Sequence, residues 1–332
     1  MKALSDIIKK INNTTLLGKQ DRMVRNVVFD SKRVGPDSCF VAIRGIKTDG
    51  HKYIADAIAS GARTIVCNDY SDTIPDDVTI VKVSDTAQAL GIMASAFYNN
   101  PSKQINLIGV TGTNGKTTVA TLLYETFTGL GFRCGLISTI KYIIGEKEQE
   151  ASHTTPDAVT VHKLLHDMVN EGCEYCFMEV SSHAVVQKRI AGLTFAGGIF
   201  TNITHDHLDY HNTFNDYLRA KQSFFTALPG DAFALTTKDD RNGRVMVQST
   251  RARVFTYSIS TVADFHAKVI ENTIDGLNMI VDGNPVWFKL TGMFNARNIM
   301  AVFASAILLG FDDKEVLETI SNLDPVEGRF QL

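Results

Sequence analysis

The sequence predicts an α/β protein with mainly parallel sheets, and three observations carry that prediction. Short apolar runs rich in β-branched residues alternate with helix-period segments that end in glycine, the rhythm of βαβ units. At 332 residues the chain is too long for one ordinary core, so two or three domains are expected. The stretch "GVTGTNGKTT" at 109–118 stands between an apolar run and a helical one, the setting of a phosphate-holding loop.

Residues 1–102 form the first predicted domain. "RNVVFDS", "CFVAIRG", "TIVCN" and "VTIVKV" read as strands. "HKYIADAIASG" reads as a helix stopped by glycine, and "TAQALGIMASAFYNN" as one ended by Asn-Asn-Pro, with the boundary near Pro101. Residues 103–332 form the second. "INLIGV", "CGLIST", "YCFMEV" and "AGGIFTNI" are its predicted strands, and "KYIIGEKEQEASH" a short hairpin. "TTVATLLYETFTGLG", "TPDAVTVHKLLHDMVNEG" and "FNDYLRAKQSFFTAL" are its helices, the second opening with Pro156 near its start. Residues 267–290 read as a small antiparallel extension turning at "DGNP", followed by the helices "NARNIMAVFASAILLG" and "KEVLETISNL". The chain stops at "PVEGRFQL", on a polar turn soon after a helix, so a further domain is expected to be absent.

Composition narrows the function. A net charge of −3 argues against a general nucleic-acid or membrane-surface binder, which needs excess Lys and Arg. The N-terminus "MKALSDIIKKINN" is amphipathic, without the apolar core of a signal peptide, and no stretch approaches the roughly 20 apolar residues of a membrane span. Five cysteines without regular spacing suggest free thiols in a reducing, cytoplasmic setting. Cys173 and Cys176 form a lone CxxC without a second pair, read as part of an apolar strand rather than a metal knuckle.

A strand, a flexible loop, a Lys and a hydroxyl at a helix start make a P-loop. Loop amides turned inward form an anion nest, and the helix N-terminus adds positive partial charge. Gly112, Thr113, Asn114 and Gly115 are the loop, and Lys116, Thr117 and Thr118 open the helix. Lys116 is placed to reach terminal phosphates and Thr117 to ligate magnesium. The GxxxxGK[ST] pattern is not literally met, because Gly109 comes one residue early and Val110 holds the first glycine position. The expected ligand is a nucleoside triphosphate. A second acidic ligand belongs at the end of a neighbouring strand, and "YCFMEVSSH" supplies Glu179; capping of the next helix is the other reading. "TNITHDHLDYH" at 201–211 packs histidines and aspartates after another strand, as a second metal or chemical cluster or as a solvated polar loop.

These stretches, with "FDSKRVGPDSCFVAIRGIKTDGHKYI", "HTTPDA", "MEVSSHAVVQKRI", "YLRAKQSFF", "LTGMFNARN" and "VEGRF", resemble the Mur ligase family, ATP-dependent amide-forming enzymes of peptidoglycan precursor synthesis, most of all its MurE type. They run in family order over nearly the whole chain. The resemblance implies ligation of a third amino acid, L-lysine or meso-diaminopimelate, to UDP-MurNAc-L-Ala-D-Glu through an acyl phosphate, using ATP and Mg2+. Phe29 and Ser31 then match the uridine site, and Ile46, Lys47 and Thr48 the next contact loop, where the flanking residues match better than the middle ones. Thr154, Thr155, Ser181, Gln187 and Arg189 match positions that hold the muramoyl-dipeptide, and a guanidinium suits a carboxylate. Asn295, Asn298 and Arg329 match positions near the nucleotide. His207 and Glu179 match metal ligands. Lys221 would otherwise be read as a surface lysine; in this family the matching lysine is carbamylated by carbon dioxide and becomes a magnesium ligand. That reaction needs a neutral amine, which burial or neighbouring cations favour. A monomer is expected.

The resemblance also implies that family members continue past "GR" into a domain that closes over ATP and binds the amino acid, so this chain is expected to bind the UDP substrate yet ligate poorly. Competing readings are another Mur or folylpolyglutamate-type ligase, which the roughly hundred residues ahead of the loop and "EVSSHAV" disfavour, and a non-catalytic nucleotide-sugar-binding fragment. Retention of Lys116, Glu179, His207 and Lys221 together argues against the latter as an evolved state.

Overall fold

The computed structural model describes residues 1–19, 21–45, 48–70, 73–204 and 213–324. By internal contacts the chain divides into two compact units: Met1–Lys103 with Pro156–His166 and Gln187–Leu193, and Gln104–Thr155 with Asp167–Val186 and Thr194–Leu332.

In the first unit the strands are β1 (Lys2–Ala3), β2 (Thr15–Gly18), β3 (Met23–Val24), β4 (Asn26–Val28), β5 (Ser38–Val41), β6 (Thr64–Cys67) and β7 (Thr79–Lys82), with helices α1 (Leu4–Ile8), α2 (Ile54–Ala59) and α3 (Thr86–Phe97). The main sheet runs β2-β7-β6-β5-β4, parallel except for β2, while β1 pairs with β3. Alternate residues of these strands feed two cores. Val27, Cys39, Val41, Val66 and Val81 pack with α1 and α3, and Val28, Phe40, Ile65 and Ile80 pack with Ile54 and Ala57 of α2. Burial on both faces is why these strands read as continuous apolar runs. Asp85 caps α3 by accepting from Gln88 N at 2.9 Å, and Asn99 and Asn100, both at positive φ, end it ahead of Pro101.

The second unit holds an eleven-stranded sheet. Its strands are β8 (Asn106–Thr111), β9 (Cys134–Ile137), β10 (Lys141–Ile144), β11 (Lys147–Glu150), β12 (Tyr175–Glu179), β13 (Gly197–Phe200), β14 (Phe233–Thr237), β15 (Arg253–Ser258), β16 (Phe265–Asn272), β17 (Leu277–Val281) and β18 (Asn284–Phe288). Its helices are α4 (Lys116–Gly129), α5 (Ala158–Asn170, whose first turns belong to the first unit), α6 (Ser182–Val186), α7 (Phe214–Thr226), α8 (Gly243–Val247), α9 (Met293–Leu308) and α10 (Asp313–Ser321). The order is β11-β10-β9-β12-β8-β13-β14-β15-β16-β17-β18, parallel from β9 to β16, with the β9–β10–β11 and β16–β17–β18 pairings antiparallel. The mainly parallel α/β fold and its antiparallel extension are thus as the sequence predicts. The residues β14 and β15 occupy drew no strand assignment from the sequence.

The two faces of β8 pack against different helices. Ile108 and Val110 enter a core with Val119, Leu122 and Leu123 of α4 and Ile299 and Met300 of α9. Gly109 points the other way: a Cβ there would stand 2.6 Å from Phe224 Cζ, and one on Gly198 of β13 would stand 2.9 Å from Phe224 Cε1. Two glycines on adjacent strands therefore seat Phe224 and draw α7 against the sheet. Gly109, one residue early for the P-loop pattern, serves helix packing.

Candidate active site

The loop after β8 lies at the C-terminal end of the parallel strands, where such sheets bind ligands. Gly115, at φ +84, is the N-cap of α4, a conformation glycine adopts without strain. A Cβ on Gly112 would run into Thr201 Oγ1. Lys116 Nζ donates to Gly112 O at 3.1 Å and Thr113 O at 2.8 Å. Thr117, 1% exposed, sits in the first helical turn beside Lys116 and Thr118.

Seating α7 through Phe224 brings Lys221, one turn earlier, to the same loop. Lys221 is 1% exposed, and its Nζ donates to Gly112 O at 2.7 Å and lies 4.7 Å from the Tyr217 ring centroid. Burial first, and the Lys116 ammonium second, hold the Lys221 amine well below the usual lysine range.

Glu179 ends β12 and pairs in register with Val110, so its carboxylate stands one strand from the loop. It is fully buried. Oε1 accepts from Thr139 N at 2.6 Å, while Oε2 has no hydrogen-bond partner among the described residues. Thr111 Oγ1, at the end of β8, is likewise buried and unpartnered among them. Orphaned oxygens at two adjacent strand ends, with the Thr117 hydroxyl position next to the loop, fit a hard divalent cation, which takes oxygen ligands. The remaining threonines form a small network. Thr139 Oγ1 donates to Thr154 Oγ1 at 3.1 Å, Thr155 Oγ1 donates to Glu179 O at 2.8 Å, and Ser181 N donates to Thr155 Oγ1 at 3.2 Å.

Residues 201–204 are stapled to the loop. Thr113 N donates to Asn202 O at 2.8 Å, and the Asn202 side chain brackets Asn114, accepting from its N–H and donating to its C=O at 3.0 Å each. Thr201 Oγ1 donates to Asn114 O at 2.6 Å, and Thr204 N donates to Thr113 Oγ1 at 3.0 Å, which is 3.0 Å from Tyr217 Oη. Asp240, after β14, accepts from Ile203 N at 2.7 Å. On α9, Asn298 Nδ2 donates to Asn295 Oδ1 at 3.1 Å, a Cβ on Gly115 would stand 2.7 Å from Asn298 Oδ1, and Arg297 Nε is 3.7 Å from Asp239 Oδ2. The sequence alone does not single out Asn202, Tyr217, Asp239 and Asp240. Asn202, Asp239 and Asp240 are polar groups just past strand ends, visible only once the strand order is known, and Tyr217 lies on α7, whose seating against the sheet brings its hydroxyl to Thr113.

In the first unit, Phe29 follows β4 and lines a pocket with Val27, Val28, Asp30, Arg33 and Val159. Ser31 opens a 3-10 turn capped by Asp30, which accepts from Lys32 N at 3.0 Å. Thr48 Oγ1 is 3.3 Å from Tyr53 Oη. Arg189 Nε and Nη2 donate to Gln187 Oε1 at 3.0 and 2.7 Å. Ile46, Lys47, His207 and Arg329 lie outside the described residues, as does most of the histidine cluster. All five cysteines are buried free thiols, and burial raises those of Cys173 and Cys176. No helix among the described residues is long and apolar enough to cross a membrane.

A glycine loop at a helix start, two lysines on one loop carbonyl and a buried carboxylate one strand away define a P-loop nucleotide-binding α/β protein. Residues 110–306 match the Mur ligase middle domain and residues 23–98 the Mur ligase family catalytic domain. The chain belongs to the Mur ligase family. It is 53% identical over 329 residues to the UDP-N-acetylmuramoyl-L-alanyl-D-glutamate–2,6-diaminopimelate ligase of Cytophaga hutchinsonii, covering 99% of this chain and 68% of that one. It is 50% identical over 327 residues to the protein of the same name from Phocaeicola vulgatus, covering 98% and 68%. A solved structure with that name aligns with a TM-score of 0.84 at 24% identity, covering 99% of this chain and 68% of that chain, a likeness of fold. The chain thus spans about two thirds of the length of these relatives.

Proposed function

We propose that the chain acts in the ligation for which its relatives are named, joining 2,6-diaminopimelate to UDP-N-acetylmuramoyl-L-alanyl-D-glutamate, and that it does so with ATP, in the cytoplasm, as a monomer. The observation that carries the reading is the convergence of Lys116 and Lys221 on the Gly112 carbonyl, one strand from Glu179, whose Oε2 has no hydrogen-bond partner among the described residues. Residues 1–102 serve as the UDP-substrate domain and 103–332 as the ATP domain. Gly112 to Thr118 receive the phosphates through loop amides and the α4 N-terminus, and Asn295, Asn298 and Arg329 the rest of the nucleotide. Phe29, Ser31, Ile46, Lys47 and Thr48 hold the uridine diphosphate. Thr154, Thr155, Ser181, Gln187 and Arg189 hold the muramoyl-dipeptide.

The substrate carboxylate attacks the γ-phosphorus and ADP leaves; the incoming amine then attacks the acyl carbon of the acyl phosphate and phosphate leaves. Two anions must meet in the first step, and Lys116 offsets their repulsion. Thr117, Glu179, His207 and Lys221 would hold magnesium, which when bound supplies further charge neutralisation. The buried Lys221 amine favours its neutral form, the form that adds carbon dioxide, so a carbamate there is part of the proposal. The test is calorimetric titration of the 332-residue chain with the UDP-muramoyl dipeptide, with the compound lacking D-Glu as control. Binding that needs D-Glu and weakens in Arg189→Ala supports the reading. A folded chain that binds ADP but not the dipeptide overturns the substrate assignment.

A further inference from the structure

The segment Gln187–Leu193 is anchored by a residue that no ligation step uses. Lys188, at φ +58, holds the left-handed conformation that a non-glycine residue keeps only where its surroundings demand it, and it lies between Gln187 and Arg189. Past it, Ala191 N donates to Lys188 O at 3.0 Å and Leu193 N to Ile190 O at 3.2 Å. The segment then meets α3 backbone to backbone. A Cβ on Gly91 would run into Ala191 O, and one on Gly192 would stand 2.6 Å from Gly91 O. A side chain of α5 bonds into this junction, to the backbone of Ala191 and of Gly91. His162 of α5 is fully buried, and its Nε2 is 3.0 Å from Ala191 O. A carbonyl only accepts, so Nε2 carries the proton, and Nδ1 has no hydrogen-bond partner among the described residues.

A leucine would fill this site without the desolvation that a buried imidazole suffers, so packing alone does not account for histidine. What a leucine cannot do is satisfy the Ala191 carbonyl. We infer that His162 is a positioning residue: through Ala191 O it fixes the segment Gln187–Leu193 and thereby the carboxylate grip of Gln187 and Arg189. The inference rests on the substrate reading above for the role of those two residues.

The experiment compares the wild-type chain with His162→Leu and His162→Gln, the glutamine keeping a donor near the Nε2 position. Each is titrated with the UDP-muramoyl dipeptide and, separately, with ADP and magnesium, and each is timed for tryptic cleavage after Lys188 and Arg189. In His162→Leu the dipeptide dissociation constant rises about tenfold, as an unsatisfied buried carbonyl would cause. ADP affinity holds, cleavage quickens, and His162→Gln restores both affinity and resistance. Equal weakening toward both ligands, no weakening, or a glutamine variant as poor as leucine would overturn the inference. If the wild-type chain binds ADP but not the dipeptide, the substrate reading fails instead. The cleavage rates then stand alone, and an unchanged rate in His162→Leu removes the anchoring role too.

Discussion

Lys116 and Lys221 donate to one carbonyl oxygen, Gly112 O, at 3.1 and 2.7 Å, although they come from different helices. Burial first, and repulsion from the Lys116 ammonium second, give Lys221 its depressed affinity for its proton. Replacing a buried charge with an apolar group of similar length is often neutral or stabilising. Lys221→Met is therefore expected to match or exceed wild type in denaturant stability. Where the ligase reaction is measured, it should lose at least about 100-fold in kcat. A variant that is destabilised yet active would contradict both parts.

Glu179 offers the same contrast with one atom changed. Glu179→Gln keeps an oxygen for Thr139 N but turns the buried Oε2, unpartnered among the described residues, into an amide nitrogen. Titrating ADP with and without magnesium should show a magnesium-dependent gain in the wild type and little or none in the variant. An undiminished gain would place the cation elsewhere.

Asn202→Ala removes the side chain that brackets both amide groups of Asn114. These pairings are solvent-accessible, and losing each costs about 0.5–1.5 kcal/mol, so urea unfolding should shift to lower concentration. ADP binding should weaken as well, because the loop amides lose their fixed direction. Weaker stability with unchanged ADP affinity would mean the loop keeps its shape unaided.

Gly91→Ala tests the glycine contact on α3. Within a helix, alanine is ordinarily better than glycine by about 1 kcal/mol. Here the new methyl meets Ala191 O, Cβ and backbone, so a net loss of about 1–3 kcal/mol is expected instead. Calorimetric melting of the variant decides the sign.

His162 sets a pH dependence. Burial is the main cause lowering its pKa from 6.5 to about 4. A group whose folded pKa is depressed binds more protons when unfolded, so its contribution is full above pH 6.5 and is lost as pH falls toward 4. At about 1.4 kcal/mol per pH unit the span amounts to about 3 kcal/mol. Starting near equality at neutral pH, the wild-type stability curve should fall below that of His162→Gln as pH drops through that window. Parallel curves would show that His162 is not the group responsible.

Much of this architecture was legible residue by residue. β8 and α4 announced themselves through "INLIGV" and the Gly-Lys-Thr after it, because a buried parallel strand and a helix start leave strong local signals. The β10–β11 hairpin and the turn at "DGNP" did so through alternation and turn chemistry. β14, "FALTT", did not, since threonines at a strand end look like loop. Lys221 reads as a solvated helix charge, and only the glycines that let Phe224 approach, one on each of two strands distant in sequence, show that it is buried. Asp240 is a similar case: its partner, Ile203 N, is a backbone group 37 residues away, and no residue type marks a backbone donor. His162 looks like one more residue on an amphipathic helix until Ala191 is placed beside it.

The interleaving of the two compact units has a consequence for biosynthesis. The core that joins α1 and α3 includes Ala158 and Val159, and its unit is complete only with Gln187–Leu193. At about 5–20 residues per second, the ribosome needs on the order of 5–20 s after residue 103 to deliver that segment. For that interval the nascent first unit carries an unfinished apolar face while β8, α4 and β9 are already emerging. A domain that starts first but finishes after its successor has begun is a natural client for a chaperone at the tunnel exit.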